Sequence, residues 1–411
     1  MRVGSAKRVL VGAILLAAPA LLAQNLSLTR NLTLGGANSS AEPQNTPPPV
    51  NSVADREGYA GDGACGPCHA KQLQSYSHTA HHLTSQSPSR ESIAGSFAAG
   101  KNMLQTSNAG LYFRMDSKPD GFYQTSMRAF PPVSPLRSER MDIVIGSGRV
   151  GQTYLYWKND RLFELPVSYW IDPGSWVNSP GYHDGVARFD RPVVPRCLEC
   201  HMSYAEQIAG QPPPNRYKPA SLLMGISCER CHGPARAHVA AREKDIILGF
   251  IVNPAKLTRD RQIDVCAQCH SGSRKPLLPA FSYMPGQPLD NYLRHDPADP
   301  DTRVDVHGNQ VSLLQRSRCF QNSTDLTCST CHDVHQVQRE ATGFSEHCLK
   351  CHRPEACGEF AKLREKILGS CVDCHMPVQP SSLIISNSNG KQARAMKRSH
   401  WIRIYPETRT P

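Results

Sequence analysis

The chain has 411 residues, a formal net charge of +11, and 7 % aromatic residues beside 33 prolines and 29 glycines. That length allows two or three domains, but the aromatic supply is thin for an ordinary hydrophobic core. Taken alone, the charge would suit nucleic acid or an anionic membrane, although Arg2, Lys7 and Arg8 stand in a segment that reads as removable.

Residues 1–23 read as a secretory signal peptide. A basic start is followed by apolar Val9–Ala23, and Leu21-Leu22-Ala23 makes a plausible cleavage end. That apolar run falls short of the ~20 residues a bilayer-spanning helix needs. No cysteine precedes Cys65, so no lipid-attachment site lies near the cut. The expectation is a periplasmic or extracellular protein. Residues 24–57, rich in Asn, Ser and Thr and carrying Pro47-Pro48-Pro49, read as a flexible linker.

From Cys65 onward one five-residue word, C-x-x-C-H, occurs seven times: Cys65–Cys68–His69, Cys197–Cys200–His201, Cys228–Cys231–His232, Cys266–Cys269–His270, Cys328–Cys331–His332, Cys348–Cys351–His352 and Cys371–Cys374–His375. This is the attachment word for c-type haem. Residues i and i+3 share one face of a helical turn, so both thiols reach one porphyrin. The histidine that follows supplies an axial imidazole to the iron. Zinc is the competing use of paired cysteines, but it takes four ligands from two units and has no need of a histidine after every second cysteine. The words therefore predict seven covalent haems c. Each brings about −1 of net charge when ferric, so the mature holoprotein comes to about +1 oxidised and about −6 reduced. The basic sequence then gives no support to nucleic-acid binding.

The 58–102 segment carries the first haem. Ala70–Leu83 reads as a helix bearing His78, His81 and His82, with His78 and His82 on one face. From His69 to Cys197 there is a long interval without a haem word. Alternating runs from Leu111 and Gly121 flank Lys118-Pro-Asp-Gly, a hairpin signal. Further runs follow from Met141, Gln152 and Arg161, the last two separated by Lys158-Asn-Asp. Residues 103–170 therefore predict four or five antiparallel strands, within a β-rich insertion and irregular connection spanning 103–195. Its expected role is to cover the first haem and brace the cluster.

Residues 196–404 form the expected six-haem domain, with words opening at Cys197, Cys228, Cys266, Cys328, Cys348 and Cys371. Six words crowded between Cys197 and His375 leave little independent protein core, so short helices and loops should wrap on porphyrin. Helical pieces are expected at Arg236–Ile247 and Glu359–Leu368. The fold class is thus mainly α and irregular and organised by haem, with an inserted antiparallel β region, α+β overall.

The sixth ligand decides what each haem does. A second histidine closes it into a low-spin carrier, whereas an open iron binds substrate. Seven of the 17 histidines belong to the words, leaving His78, His81, His82, His183, His238, His295, His307, His335, His347 and His400. Met202 and Met376 adjoin His201 and His375 and so cannot reach the opposite face of the same iron.

Several segments resemble multihaem c-type cytochromes of the cytochrome c-552/c-554-like family. Cys228-Glu-Arg-Cys-His232-Gly-Pro-Ala-Arg-Ala-His238 is similar to its C-E-x-C-H-G-P-x-x-x-H element, which implies His238 as a distal ligand. Cys328-Ser-Thr-Cys-His332-Asp-Val-His335 is similar to T-C-x-x-C-H-D-P-H, with Val334 for the proline, and implies His335. The stretch from Cys65 to His82 resembles a word followed by an aromatic and Ser-x-His, implying His81 with His82 second. Cys371-Val-Asp-Cys-His375-Met-Pro and Ser399-His400-Trp-Ile-Arg resemble the family's ending and imply His400. The resemblance covers most of 60–404 and implies a multihaem cytochrome c fold. Cys319 and Cys357 stand outside the words. In an oxidising compartment a disulfide is their default, and similar cytochromes carry cysteines at comparable places.

The leading expectation is an electron carrier between a quinol-oxidising complex or periplasmic cytochrome and a terminal reductase or other acceptor. Two alternatives stand beside it. One is an oxidoreductase with one open haem acting on nitrogen or sulfur oxyanions or hydroxylamine. The other is a haem filament subunit.

Overall fold

In a computed structural model the described residues are 58–244, 246, 251–272, 274–294 and 304–406. The expected signal peptide, the linker and His295 lie outside them. The element order is one long helix, an extended antiparallel β region, then short helices closed by a β hairpin. The architecture is α+β.

Helix α1 (Asp62–Tyr76) starts before the first word and contains it, with a kink at His69 (φ −120°, ψ 38°). The expected helix over Ala70–Leu83 therefore ends early. Tyr76 is buried and its hydroxyl donates to the Ile226 carbonyl at 2.7 Å, which pins the chain there. A turn and a short 3-10 segment, His82–Thr84, follow, so His78 and His82 do not share a helix face.

Strand β1 (Ser85–Gln86) comes next. Strands β2 (Met103–Gln105), β3 (Leu111–Lys118), β4 (Gly121–Arg128) and β5 (Ser134–Arg140) form a four-stranded antiparallel sheet in sequence order. Lys118 pairs with Gly121 across a two-residue loop, the hairpin expected from Lys118-Pro-Asp-Gly. Glycine is needed at the end of that loop, since Gly121 has φ 146°. Strands β6 (Ile143–Ile145), β7 (Gly151–Lys158), β8 (Arg161–Glu164), β9 (Val167–Trp170), β10 (Ser175–Asn178) and β11 (Arg191–Pro192) join β1 in a seven-stranded sheet. The region is larger than expected, with eight strands between 103 and 170 in two sheets.

The seven-stranded sheet is covered on both faces, which explains the unbroken buried run Ile143-Val144-Ile145. Val144, Tyr154, Tyr156 and Val167 pack on Phe113 and Met115 of the smaller sheet. The opposite face presents Ile143, Ile145, Leu155 and Leu162 to Val193, Leu198, Met202 and Tyr217. Each such fully buried side chain contributes about 1.5–3 kcal/mol. Leu198 lies inside the second word, so the insertion packs against that word.

The later helices are short. Arg236–Arg242 stops before the expected Ile247, and Phe360–Leu363 breaks at Arg364, whose φ is 52°. Past Pro377 a hairpin not foreseen in the sequence pairs Val378–Ser388 with Lys391–Arg398. It docks on β10, where the Asn178 N–H donates to Ser388 Oγ at 2.8 Å and its side-chain amide to the Asn387 carbonyl at 2.6 Å. Among the described residues no helix is long and apolar enough to cross a membrane.

Candidate haem-binding sites

Each word sits on a helical turn. The first lies in α1, the third and seventh occupy helices Cys228–His232 and Cys371–His375, and the fourth ends helix Arg259–His270. The second starts in helix Pro195–Glu199, the fifth in 3-10 segment Cys328–Thr330, and the sixth at the end of helix Ala341–Leu349. In the fifth and sixth the histidine N–H closes the turn on the first cysteine's carbonyl, at 3.0 Å for His332 and 2.9 Å for His352. Both thiols and the imidazole of a word thus issue from one turn, as covalent attachment of a porphyrin requires.

Words distant in sequence meet through their thiols. The thiols of Cys65 and Cys228, of Cys200 and Cys269, of Cys266 and Cys328, and of Cys348 and Cys371 lie beside one another. Cys231 lies within electrostatic reach of Cys266, and Cys331 of Cys348. The words thus follow one another in space as one–three–four–five–six–seven, with the second beside the third and the fourth.

The imidazoles meet in pairs. The rings of His232 and His335 have centroids 6.1 Å apart, those of His332 and His400 6.3 Å, and those of His81 and His270 6.0 Å. The rings are near parallel in the first two pairs, at 24° and 21°, and near perpendicular in the third, at 83°. Two imidazoles holding one metal through bonds of about 2.0–2.1 Å would have centroids roughly 6.3 Å apart. His238 lies close enough to His69 to feel its charge, and its Nδ1 is buried without a hydrogen-bond partner. His307 stands in the same relation to His201. Among the described residues no three His, Cys, Asp or Glu side chains converge on one point. Pairs, rather than cages, suit an iron whose other four ligands come from a macrocycle.

Protonation fits the same use. Burial pushes the pKa of His81, His201 and His400 down to about 4, with neighbouring imidazoles adding to it. These rings are neutral at neutral pH and hold a free lone pair. Carbonyls fix which nitrogen carries the proton. His232 Nδ1 lies 2.8 Å from the Val252 carbonyl, His375 Nδ1 2.9 Å from that of Arg403, and His400 Nδ1 3.2 Å from that of Arg398. A carbonyl only accepts, so Nδ1 donates and Nε2 is left to coordinate. His270 Nδ1 meets Gln310 Oε1 at 3.1 Å and His201 Nδ1 meets Thr84 Oγ1 at 3.1 Å.

Of the distal candidates drawn from the sequence, His81, His238, His335 and His400 each lie beside the histidine of a word. His82 instead has its Nδ1 3.6 Å from Asp62. His307 was passed over, and its only sequence signal was its place among the ten spare histidines. Among the described residues no ring contact pairs His352 or His375 with a second imidazole. Met202 is a core residue at 0 % exposure. Cys319 and Cys357 are not bonded to each other in the structure. Cys319 lies near Cys331 and Cys348, and Cys357 near Cys371 and Cys374.

Residues 184–233, which hold the second and third words, match the family described as cytochrome c554 and c-prime. Over 163 residues, 38 % of this chain, the sequence is 26 % identical to the multiheme cytochrome MtrA of Shewanella baltica (strain OS185). The match spans 44 % of that relative's length. The fold is similar to that of the outer cell wall cytochrome OcwA, with a TM-score of 0.53 at 16 % identity, covering 84 % of this chain and 80 % of that one. Together with the words and the paired imidazoles, these likenesses make the chain a multihaem c-type cytochrome.

Proposed function

We propose that this is an exported seven-haem electron-transfer protein in which most of the irons are held by two histidines. The observation that supports this best is the set of three imidazole pairs at 6.0–6.3 Å, each joining a word's histidine to one from elsewhere in the chain. When bound, haem supplies reversible one-electron exchange at iron. The chain's part is to position, insulate and set potentials. Thiols at Cys65, Cys68, Cys197, Cys200, Cys228, Cys231, Cys266, Cys269, Cys328, Cys331, Cys348, Cys351, Cys371 and Cys374 anchor the groups. His69, His201, His232, His270, His332, His352 and His375 would give the proximal imidazoles, with His335, His81 and His400 as second ligands for the third, fourth and fifth words and His238 and His307 for the first two.

The closeness of successive words would give electrons a path through the molecule. Its partners on this reading are other redox proteins, with a quinol-oxidising complex or periplasmic cytochrome as donor and a terminal reductase or similar acceptor. The alternative, a reductase with an open iron, would have that iron at the sixth or seventh word, whose histidines make no ring contact with a second imidazole among the described residues.

The test is a pyridine haemochrome count on the exported protein, followed by reoxidation of the reduced form with nitrite and with hydroxylamine. Seven haems and no turnover are expected. A count below seven would overturn the haem assignment, and catalytic reoxidation would establish the enzyme.

A further inference from the structure

The variable positions of the words are usually regarded as spacers, but three of them meet here in one buried polar knot. Glu199 of the second word, Arg230 of the third and Gln268 of the fourth are 3 %, 5 % and 3 % exposed. Arg196, one residue before Cys197, donates from Nη1 to Glu199 Oε2 at 2.9 Å and from Nη2 to the Gln268 carbonyl at 2.7 Å. Arg230 Nη2 donates to the Glu199 carbonyl at 3.2 Å and lies 3.8 Å from Glu199 Oε1. That same Oε1 accepts the Phe281 N–H at 2.9 Å, and the Arg230 guanidinium stands 5.4 Å from the Phe281 ring. Gln268 Nε2 donates to the Val265 carbonyl at 2.8 Å and reaches that of Arg230 at 3.5 Å. Arg230 Nε and Gln268 Oε1 are buried with no partner.

Two guanidiniums thus share one carboxylate where three words adjoin. Burying such charges is costly, and an apolar substitute of similar volume is often as stable. Stability alone is therefore a weak reason for the knot. What an apolar cluster cannot supply is its net positive charge, little screened in a medium of low dielectric.

We propose that Arg196, Glu199 and Arg230 set the potentials of the haems on words two, three and four, holding them above the rest so that electrons collect there. These are positioning residues, and the inference rests on reading the words as haem attachment sites. Reduction at any of these words takes one electron from the donor, lowers the local charge by one, and makes or breaks no covalent bond. A fixed positive charge nearby favours that reduced form.

The experiment is a spectroelectrochemical titration of the full holoprotein and its variants, each with its haem counted by pyridine haemochrome. Glu199→Gln frees the second guanidinium and should shift the highest-potential components upward. Arg230→Met and the milder, partly exposed Arg196→Met should shift them downward, and Arg230→Lys should restore them. Loss of a merely structural knot would move Glu199→Gln and Arg230→Met in the same direction. That result, or unmoved potentials with all seven haems in place, overturns the proposal. If Arg230→Met fails to load its haems, Arg196→Met decides by its sign. A count below seven in the unaltered protein would instead sink the underlying haem reading.

Discussion

At the residue scale, the roles of the histidines divide by what each ring faces. At His232 and His400 a paired ring with a donating Nδ1 leaves Nε2 free to coordinate. Replacing His335 by alanine should therefore convert one low-spin haem to high-spin while the haem count stays at seven, read from the ferric absorption bands. His307→Ala should do the same at the second word, whereas His183→Ala should change nothing. The sequence made the words fully legible, because a covalent attachment site is local. Through the family resemblance it also singled out His81, His238, His335 and His400, each of which lies near the histidine of a word. It could not show that His81 faces His270, since that contact joins segments far apart in the chain, with the whole β region between them. Nor could it single out His307, which has no motif around it.

At the element scale, short helices are held by specific polar ties. Glu229 accepts the N–H groups of Ala60, Gly61 and Ala235 at 2.8, 3.0 and 2.8 Å, fastening the first word's approach to the third. The Tyr76 hydroxyl ends α1 against Ile226. Tyr76→Phe removes a single neutral hydrogen bond and should cost about 1 kcal/mol in thermal or denaturant unfolding. Asp305 holds the C-terminal hairpin that leads to His400, accepting from Ser381 Oγ and Ser382 Oγ at 2.8 Å each and from the Ser382 N–H. Burial raises its pKa, but these donors and the His307 N–H outweigh it and the net shift is downward from 3.8. A depressed carboxylate stabilises the fold above its unfolded pKa, and that contribution is lost as pH falls through the folded value. Asp305→Asn should thus lower stability by roughly 2 kcal/mol at neutral pH, with the gap to the parent closing below about pH 4. The β region was legible as hairpins from Lys118-Pro-Asp-Gly and Lys158-Asn-Asp. Its division into two sheets was not, because strand order depends on which faces are covered. The helix through His82 was overread, since a run without breakers cannot reveal that Tyr76 is anchored from another segment.

At the scale of the whole molecule, the second word, on which the β region packs, lies against both the third and the fourth. The formal charge of +11 and sequence pI of about 9.0 misdescribe the loaded protein. Isoelectric focusing of the mature holoprotein should place it well below 9.0 when oxidised and lower still when reduced, by about one charge per haem. A focused position near 9.0 would mean that haems are missing.

The central claim is that paired histidines close the irons into carriers, and the EPR spectrum of the ferric protein, integrated against its haem count, tests it most directly. The account predicts low-spin signals for at least the five haems whose proximal histidines stand beside a second imidazole, unchanged by nitrite or hydroxylamine. High-spin signal from more than two of the seven haems, shifting on addition of either ligand, would contradict it.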